Sequence, residues 1–210
     1  MKTITSIILL LLATSIAFGK SRNDSNPLSV YSSEWNQPKY NACNTAARTK
    51  YLSETEKEII YILNMARMNP KLFCKTVVSK AYSISSFVDT NSEFFYKSLV
   101  KEMSAMEPLN ILEPDSLCFI SANCHALTAG KKGYVGHDRQ SADCRKKQHF
   151  FGECCQFGIP DALGVIINLL VDQDVESLGH RHICLGAYKK ISPAMAPHKT
   201  YGTMTVIDFY

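Results

Sequence analysis

Three titratable side chains stand out in this sequence because each directly follows a glycine. They are His137, Glu153 and His180. A glycine permits the sharp backbone turns that direct the next side chain into a cleft. Two neutral imidazoles and one carboxylate form a ligand set for Zn²⁺ or another divalent cation, with a coordination position left for water. The same groups could instead perform acid–base chemistry on a bound substrate.

The spacing of these three residues matches no familiar catalytic motif. Neighbouring members are 16 and 27 residues apart, whereas the two histidines of a metalloprotease helix lie one turn apart. The sequence also has no nucleophile elbow, no P-loop and no dinucleotide-binding glycine loop. A structural interpretation is equally open, in which His137 and His180 hydrogen-bond one another or Glu153 and stabilise loop junctions.

Five other polar residues are predicted to be structural. Asn64 and Arg67 lie one turn apart on the first predicted helix and are expected to cap neighbouring loops. His125 and His149 are expected to be peripheral, and His182 is expected to be solvated.

The elements that must position the site are predicted to be helices first and strands late. Ser53 and Glu56 form a capping box at the start of a helix that Pro70 ends. The helix predicted over 114–130 carries Leu117, Ile120, Cys124 and Leu127 on one face. Two further helices are predicted over residues 92–105 and 161–172.

The C-terminal residues have the composition of a strand. Residues 203–209 are rich in β-branched and aromatic side chains and predict a terminal strand. Residues 186–191 are its predicted hairpin partner, joined through a loop from Pro193 to Pro197. Helices followed by strands indicate an α+β fold.

The N-terminal residues indicate the compartment. A positive start, an apolar run and small residues at the cleavage positions predict a signal peptide over 1–19, cleaved near Gly19, and so a secreted location, extracellular or periplasmic. The run has about fifteen apolar residues, fewer than the ~20 that a membrane span needs. Residues 20–51 contain many Ser, Asn, Gln and Pro and predict an extended N-terminal arm.

All eight cysteines follow the predicted leader, which sends them to an oxidising compartment. Disulfides are therefore their expected role, and zinc ligation by cysteine is disfavoured because no C-x-x-C pair is present. In a helix Cys118 and Cys124 lie roughly 9 Å apart, beyond the ~7 Å limit for bridged Cα atoms. No other pair is assigned or excluded from the sequence. The cysteines are Cys43, Cys74, Cys118, Cys124, Cys144, Cys154, Cys155 and Cys184.

Composition and charge exclude several classes of protein. A formal net charge of +4 over 210 residues is too small to predict nucleic-acid binding. At ~100–200 residues per domain, one domain is expected after the leader. We expect a monomer with no membrane span.

Five segments of the chain, in this order, resemble the motifs of the CAP superfamily, which groups cysteine-rich secretory proteins, insect venom antigens and plant pathogenesis-related proteins. Their order and spacing are most similar to those of its bacterial secreted members. The resemblance covers residues 52–210 and implies a three-layer α/β/α sandwich, with a small antiparallel sheet between helices. The segments are 64–70 (N-M-A-R-M-N-P), 136–139 (G-H-D-R), 151–153 (F-G-E), 172–181 (ending in G-H-R) and 206–209 (V-I-D-F).

The resemblance also implies a central cleft in which two histidines and two glutamates sometimes hold a divalent metal. His137 and His180 match the two histidines, and Glu153 matches one glutamate. Cys154 stands where the family usually has asparagine. The second glutamate has no single equivalent, and the nearby positions are Asp172, Gln173 and Glu176.

Two classes of function are predicted. The favoured one is a secreted binding module whose cleft recognises a lipid, sterol, glycan or protein. The alternative is a hydrolase in which metal-bound water, or Glu153 as general base, attacks a peptide or ester bond. Binding is favoured because the sequence has no nucleophile beside a base in a recognisable motif, and because proposed activities vary across the resembling family while its fold persists.

Overall fold

The computed structural model describes residues 26–210, and the predicted signal peptide at 1–19 lies outside them. The described residues form an α+β fold with eight α-helices and one four-stranded sheet. The helices are α1 (Glu54–Met68), α2 (Pro70–Thr76), α3 (Ala81–Ile84), α4 (Ser98–Ala105), α5 (Ser116–Lys132), α6 (Ala142–Lys146), α7 (Ala162–Val171) and α8 (Gly179–Cys184). The strands are β1 (Glu113–Pro114), β2 (Gly152–Phe157), β3 (Lys190–His198) and β4 (Gly202–Phe209).

The remaining helical segments are short. Three are 3₁₀ helices, and a π-helical turn leads directly into α4, so the helix predicted over 92–105 is confirmed. The helix predicted over 161–172 is confirmed as α7. No helix among residues 26–210 is both long and apolar enough to cross a membrane. The short segments are Ser33–Asn36, Pro38–Cys43, Val78–Lys80 and the π-helical turn Glu93–Lys97.

The capping box predicted at the start of α1 is confirmed and has a second role. The Ser53 hydroxyl accepts the backbone N–H of Glu56, and Glu56 Oε2 accepts the backbone N–H of Ser53 at 2.6 Å. Glu56 Oε1 also accepts the backbone N–H of Met195 at 2.8 Å. One carboxylate therefore caps α1 and joins it to β3.

The sheet has the order β1-β3-β4-β2. β3 and β2 both pair antiparallel to β4, while the two residues of β1 pair parallel to β3. The sheet is therefore mixed, which differs from the antiparallel sheet that the resemblance implied. β2 is an edge strand, and its Glu153 lies directly opposite Asp208 of β4.

The strand predicted over 203–209 is confirmed as β4, but the hairpin partner predicted over 186–191 overlaps the observed partner β3 only at Lys190 and Ile191. Pro193 and Pro197, expected in the connecting loop, both lie inside β3. Successive backbone N–H groups of a strand point to opposite sides. Met195 directs its N–H away from β4, to Glu56. Pro193 and Pro197 each lie two residues from Met195, so their backbone nitrogen atoms also face away from β4. Neither proline therefore needs to donate a hydrogen bond to β4.

The helix predicted over 114–130 begins and ends later than expected. Asp115 caps α5 by accepting the backbone N–H groups of Leu117 and Cys118 at 2.8 and 2.9 Å, and Pro114 lies in β1 instead. Gly133, with φ 71°, ends the helix in the left-handed conformation that glycine adopts without strain.

The face of α5 that carries the larger apolar residues is turned outward. Leu117, Ile120 and Leu127 are between 46% and 52% exposed, while three alanines of α5 pack on the sheet with Val206 of β4. A Cβ at Gly130 would lie 2.2 Å from the carbonyl oxygen of Pro197. α5 approaches the sheet so closely that only small residues fit there. The alanines are Ala122, Ala126 and Ala129.

From residue 26 onward, the segment expected to be an extended arm consists of turns and 3₁₀ helices and packs into the core. Trp35 and Tyr40 are buried, with ring centroids 4.7 Å apart. Trp35 Nε1 donates to Thr76 Oγ1 of α2 at 3.0 Å. These side chains belong to the same hydrophobic cluster as α1, α7 and the C-terminal Phe209.

Among the described residues one disulfide is present, between Cys124 of α5 and Cys144 of α6, with an S–S distance of 2.01 Å. Cys118 is not bridged to Cys124, as the geometry of a helix predicts. The other six cysteines are buried thiols. An oxidising compartment predicts that most of the eight form disulfides, and the structure has two of them in a disulfide. These thiols are Cys43, Cys74, Cys118, Cys154, Cys155 and Cys184.

Candidate functional site

His137 and Glu153 form a hydrogen-bonded pair at edge strand β2. Their Nδ1 and Oε1 atoms lie 2.8 Å apart, and the side chain of Glu153 is 2% exposed against 57% for His137. Gly136, with φ 133°, has a backbone conformation that other residues rarely adopt, and it directs His137 toward β2. Gly152 and Gly179 have no positive φ. The expectation that a glycine permits a sharp turn before the site residue therefore holds at Gly136 and not at the other two positions.

Glu153 is ionised at neutral pH. Burial by itself raises the pKa of this carboxyl, but the hydrogen bonds from His137 and Arg139 and the charge of the guanidinium lower the pKa to about 2. An ionised carboxylate only accepts hydrogen bonds, so Nδ1 of His137 carries a proton. The same hydrogen bond, which His137 donates to Glu153, is the main cause that raises the pKa of His137 above its usual value.

A buried arginine and a second acid complete this charge cluster. Arg139 Nη2 lies 2.5 Å from Glu153 Oε2 and 3.7 Å from Asp208 Oδ2, and all three side chains are at most 2% exposed. One guanidinium balances one of the two carboxyl groups. Burial, followed by the negative charge of Glu153, raises the pKa of Asp208 to about 9, so Asp208 holds its proton at neutral pH.

His180 is anchored on a different carboxylate. α7 ends at Asp172, which has φ 57°, and Asp172 Oδ1 lies 2.7 Å from His180 Nδ1. The other oxygen of Asp172 accepts the backbone N–H groups of His180 and Arg181 at 2.9 and 3.3 Å. The carboxylate is therefore the acceptor in each bond, and Nδ1 of His180 is a donor.

Of the three positions considered for the second carboxylate, Asp172 is the one whose side chain contacts His180. Gln173 instead donates to Asp174 and accepts the backbone N–H of Asp89. Glu176 is exposed. The carboxylate behind the second histidine is thus an aspartate at the end of α7.

The two imidazoles lie near each other beside β2. Their ring centroids lie 6.4 Å apart with planes inclined at 36°. Among the described residues neither Nε2 atom has a hydrogen-bond partner. The side chain of His180 is 19% exposed and that of His137 is 57% exposed. Two nitrogen atoms are therefore left to contact a ligand from solvent.

His125 is the largest departure from the sequence-based expectations, because it is fully buried rather than peripheral. Its Nε2 donates to the carbonyl oxygen of Gly136 at 3.0 Å, which leaves Nδ1 buried and without a hydrogen-bond partner. Burial is the main cause that lowers the pKa of His125. His125 thus holds the loop that carries His137.

The other residues predicted to be structural agree more closely with expectation. Asn64 donates to the carbonyl oxygens of Cys43 and Leu112 and accepts the backbone N–H of Leu112. Arg67 donates to the carbonyl oxygens of Asn110 and Cys184. Both therefore tie α1 to loops, as predicted. His182 is exposed, and His149 is half-buried and stacks on Tyr210 at 4.3 Å.

Within residues 26–210, two groups of side chains bring potential metal-ligand atoms within 4.8 Å of one another. One group contains His125, whose Nδ1 is buried and without a hydrogen-bond partner. In that group Glu153 already balances the charge of Arg139. The positive charge of the guanidinium therefore disfavours binding of a metal cation at the carboxylate of Glu153. The groups are Asp115, Cys118 and His149, and His125, Glu153 and Cys155.

Sequence reasoning did not identify Arg139 or Asp208 as members of the site. Arg139 follows His137 by two residues, and Asp208 lies in the last strand. Each lies in a segment that resembles a motif of the CAP superfamily. This resemblance was the signal by which the sequence could have indicated them. No pattern in the sequence indicated that their side chains meet at Glu153, because the contact depends on the pairing of β2 with β4.

No family model, no curated protein and no solved structure matches this chain. The similarity of the five sequence segments to the CAP superfamily therefore stays a prediction.

Proposed function

We propose that this chain is a secreted CAP-like protein that acts as a binding module, with its ligand held in the cleft between His137 and His180. The fold in this proposal is a three-layer α/β/α sandwich. Support comes from the alternation in β4, where Val206 packs with α5 and Ile207 packs with α1 and α7. The leader at 1–19 and the secreted location belong to the same proposal.

The observation that carries the proposal is the matched anchoring of the two imidazoles. Each Nδ1 is held by a buried carboxylate, Glu153 or Asp172, at 2.8 or 2.7 Å. A histidine held in this way has a fixed ring orientation and presents Nε2 as an acceptor when neutral. A pair of nitrogen atoms oriented before binding costs little entropy when a ligand arrives.

We propose that a divalent cation binds here through the two Nε2 atoms. Metal-binding histidines commonly donate their other ring nitrogen to a carboxylate, which is the role that Glu153 and Asp172 would have here. With Zn–N bonds of ~2.0–2.1 Å, two imidazoles on one zinc ion place their centroids on the order of 5–6 Å apart. The 6.4 Å separation is close to that range. Zn²⁺ would then offer its open positions to a lipid, sterol, glycan or protein ligand.

This assignment changes the role of Glu153 within the predicted metal set of His137, Glu153 and His180. Oε1 and Oε2 of Glu153 already contact His137 and Arg139. The carboxylate is therefore better suited to orient His137 than to coordinate the cation directly.

The hydrolase alternative is not favoured by the charge cluster. A general base works best with a pKa near the operating pH. The pKa of Glu153 is lowered to about 2 despite the opposing effect of burial, by the hydrogen bonds from His137 and Arg139 and the guanidinium charge. Glu153 would accept a proton from water only weakly.

Titration calorimetry with ZnCl₂ tests the metal part of the proposal. The wild-type chain is expected to bind one ion per cleft, and His137→Ala/His180→Ala is expected to weaken binding by roughly 100-fold or more because both nitrogen ligands are lost. His182→Ala is the matched control, since His182 is exposed and two residues from His180. Equal titrations for wild type and the double variant would contradict a histidine-bound cation.

Ligand capture tests the binding part of the proposal. Immobilised wild type and His137→Ala/His180→Ala are exposed to the same extract, and retained lipids, glycans and proteins are identified by mass spectrometry. The binding proposal expects at least one compound that only the wild type retains. Turnover of a peptide or ester library by the wild type, abolished in the double variant, would instead favour the hydrolase.

A further inference from the structure

Two free thiols meet between edge strand β2 and helix α8. Cys154 and Cys184 are both fully buried in the same hydrophobic cluster, and their thiols lie close enough to interact. Cys154 Sγ also lies 3.8 Å from the carbonyl oxygen of His180, which is one helical turn before Cys184. The contact therefore joins the strand that carries Glu153 to the helix that carries His180.

The other free thiols have partners of a different kind. Within residues 26–210 each of them contacts a thioether, a hydroxyl, a carboxylate or an imidazole rather than a second free thiol. Cys155, although adjacent to Cys154, points to the opposite face of the sheet, toward α5. The contacts are Cys43 with Met68, Cys74 with Ser104, Cys118 with Asp115 and Cys155 with His137.

We propose that Cys154 and Cys184 form a second disulfide when the chain folds in the presence of a small-molecule disulfide such as oxidised glutathione. In the first exchange one protein thiolate attacks the small disulfide and releases one small thiol. In the second, the other protein thiolate attacks the resulting mixed disulfide and releases a second small thiol. The S–S bond formed oxidises the two cysteines, and the small disulfide is reduced to two thiols.

The burial of the pair determines when this bond forms. Thiol exchange requires a thiolate and access for the oxidant. Burial, and then the neighbouring Cys184, raise the pKa of Cys154 well above its usual value. The folded, reduced chain is therefore expected to react slowly, and the bond is expected to form during folding, before β2 and α8 close over the thiols.

The bond would fix the relative position of the two sides of the cleft. α8 is only six residues long and is held to α7 by Arg181, which donates to the carbonyl oxygens of Leu170 and Val171. A covalent link to β2 would add a second attachment, next to Glu153. This inference rests on the thiol contact alone and holds whether or not the cleft binds a ligand.

Peptide mapping of the wild-type chain tests the proposal. The chain is refolded with oxidised and reduced glutathione, alkylated without reduction, digested and analysed by mass spectrometry. We expect one linked pair of peptides containing Cys154 and Cys184, and a second containing Cys124 and Cys144, which is the internal control. Alkylated Cys154 and Cys184 in a sample that contains the Cys124–Cys144 link would overturn the proposal.

Thermal unfolding gives a second measurement that does not depend on digestion. In a Cys124→Ala/Cys144→Ala background, dithiothreitol is expected to lower the melting temperature of the oxidised chain by on the order of 5–10 °C. Adding Cys154→Ala/Cys184→Ala is expected to remove this sensitivity, and adding Cys74→Ala is expected to keep it. A melting temperature that does not respond to dithiothreitol with Cys154 and Cys184 intact would also contradict the bond.

Discussion

Arg139 determines what Glu153 can do at the site. Its guanidinium lies between two acids, 2.5 Å from Glu153 and 3.7 Å from Asp208. A single positive charge stabilises one ionised carboxyl group in a buried cluster and leaves the other protonated. The cluster is therefore close to neutral, and Glu153 serves to orient His137.

Replacing Glu153 with glutamine is expected to lower the pKa of His137. The hydrogen bond that His137 donates to the carboxylate is the main cause that raises this pKa, and an amide oxygen carries no charge to stabilise the imidazolium. The measurement is an NMR titration of the ring protons. His182 serves as an internal control in the same spectra because it is exposed. An unchanged midpoint for His137 would argue against the observed pairing.

Replacing Asp208 with asparagine is expected to flatten the dependence of stability on pH. Burial and the charge of Glu153 raise the folded-state pKa of Asp208 to about 9, against ~3.9 in the unfolded chain. The folded chain keeps a proton that the unfolded chain releases, so the free energy of unfolding falls as pH rises between these values. The slope is up to ~1.4 kcal/mol per pH unit.

Urea unfolding at several pH values between about 5 and 8 measures this slope. The fluorescence of Trp35, which is fully buried and the only tryptophan, reports unfolding. Wild type should lose more stability than Asp208→Asn as pH rises across the series. Parallel curves for the two chains would mean that Asp208 is ionised in the folded state.

At the level of elements, the close contact between α5 and β3 explains why the larger apolar residues of α5 do not lie on its buried face. A helix normally buries its largest apolar residues. Here the backbone of β3 approaches Gly130 so closely that a Cβ has no room. Alanines fill the interface, and Leu117 and Ile120 are left exposed on the other side.

Gly130→Ala is expected to destabilise the protein although alanine favours helices. The helix preference of alanine over glycine is worth ~1 kcal/mol. The added methyl group would lie 2.2 Å from the carbonyl oxygen of Pro197, and overpacking against a backbone atom costs about 1–3 kcal/mol or more. Urea unfolding should give a net loss of stability. Lys131→Ala, at an exposed neighbouring position, is the control and should change stability little.

At the level of the whole molecule, residues 26–51 contribute to the core rather than flank it. Leu28, Trp35, Tyr40 and Cys43 are buried in the same cluster as α1 and α2. The ring of Trp35 lies against Phe73 of α2, with centroids 6.4 Å apart. The domain predicted over 52–210 would therefore expose apolar surface if it were separated from this segment.

A chain that begins at residue 52 is expected to lose cooperative unfolding, because Phe73 and its neighbours would lose the side chains that cover them. Near-ultraviolet circular dichroism and urea unfolding measure the effect. A chain that begins at residue 26 is the matched control, since it keeps every described residue. Equal unfolding midpoints for the two chains would show that residues 26–51 are dispensable for the fold.

Local sequence was sufficient where the signal lies in consecutive residues. The capping box of Ser53 and Glu56, the helix over 161–172 and the terminal strand each have such a signal, and all three are present in the structure. Prediction failed at β3, where Pro193 and Pro197 indicate a loop but lie in a strand. The two prolines are compatible with β3 because their backbone nitrogen atoms face away from β4. That orientation depends on the pairing of the strands, which the residues around each proline do not determine.

The sequence alone singled out His137, Glu153 and His180 as a candidate site, because residue type and a preceding glycine are local properties. Only the tertiary structure decided what each one contacts. Asp172 meets His180 because α7 ends beside α8, and Arg139 meets Glu153 beside the pairing of β2 with β4. The pKa of a buried group depends on such contacts, so the ionisation of the cluster follows from the fold and not from the residue types.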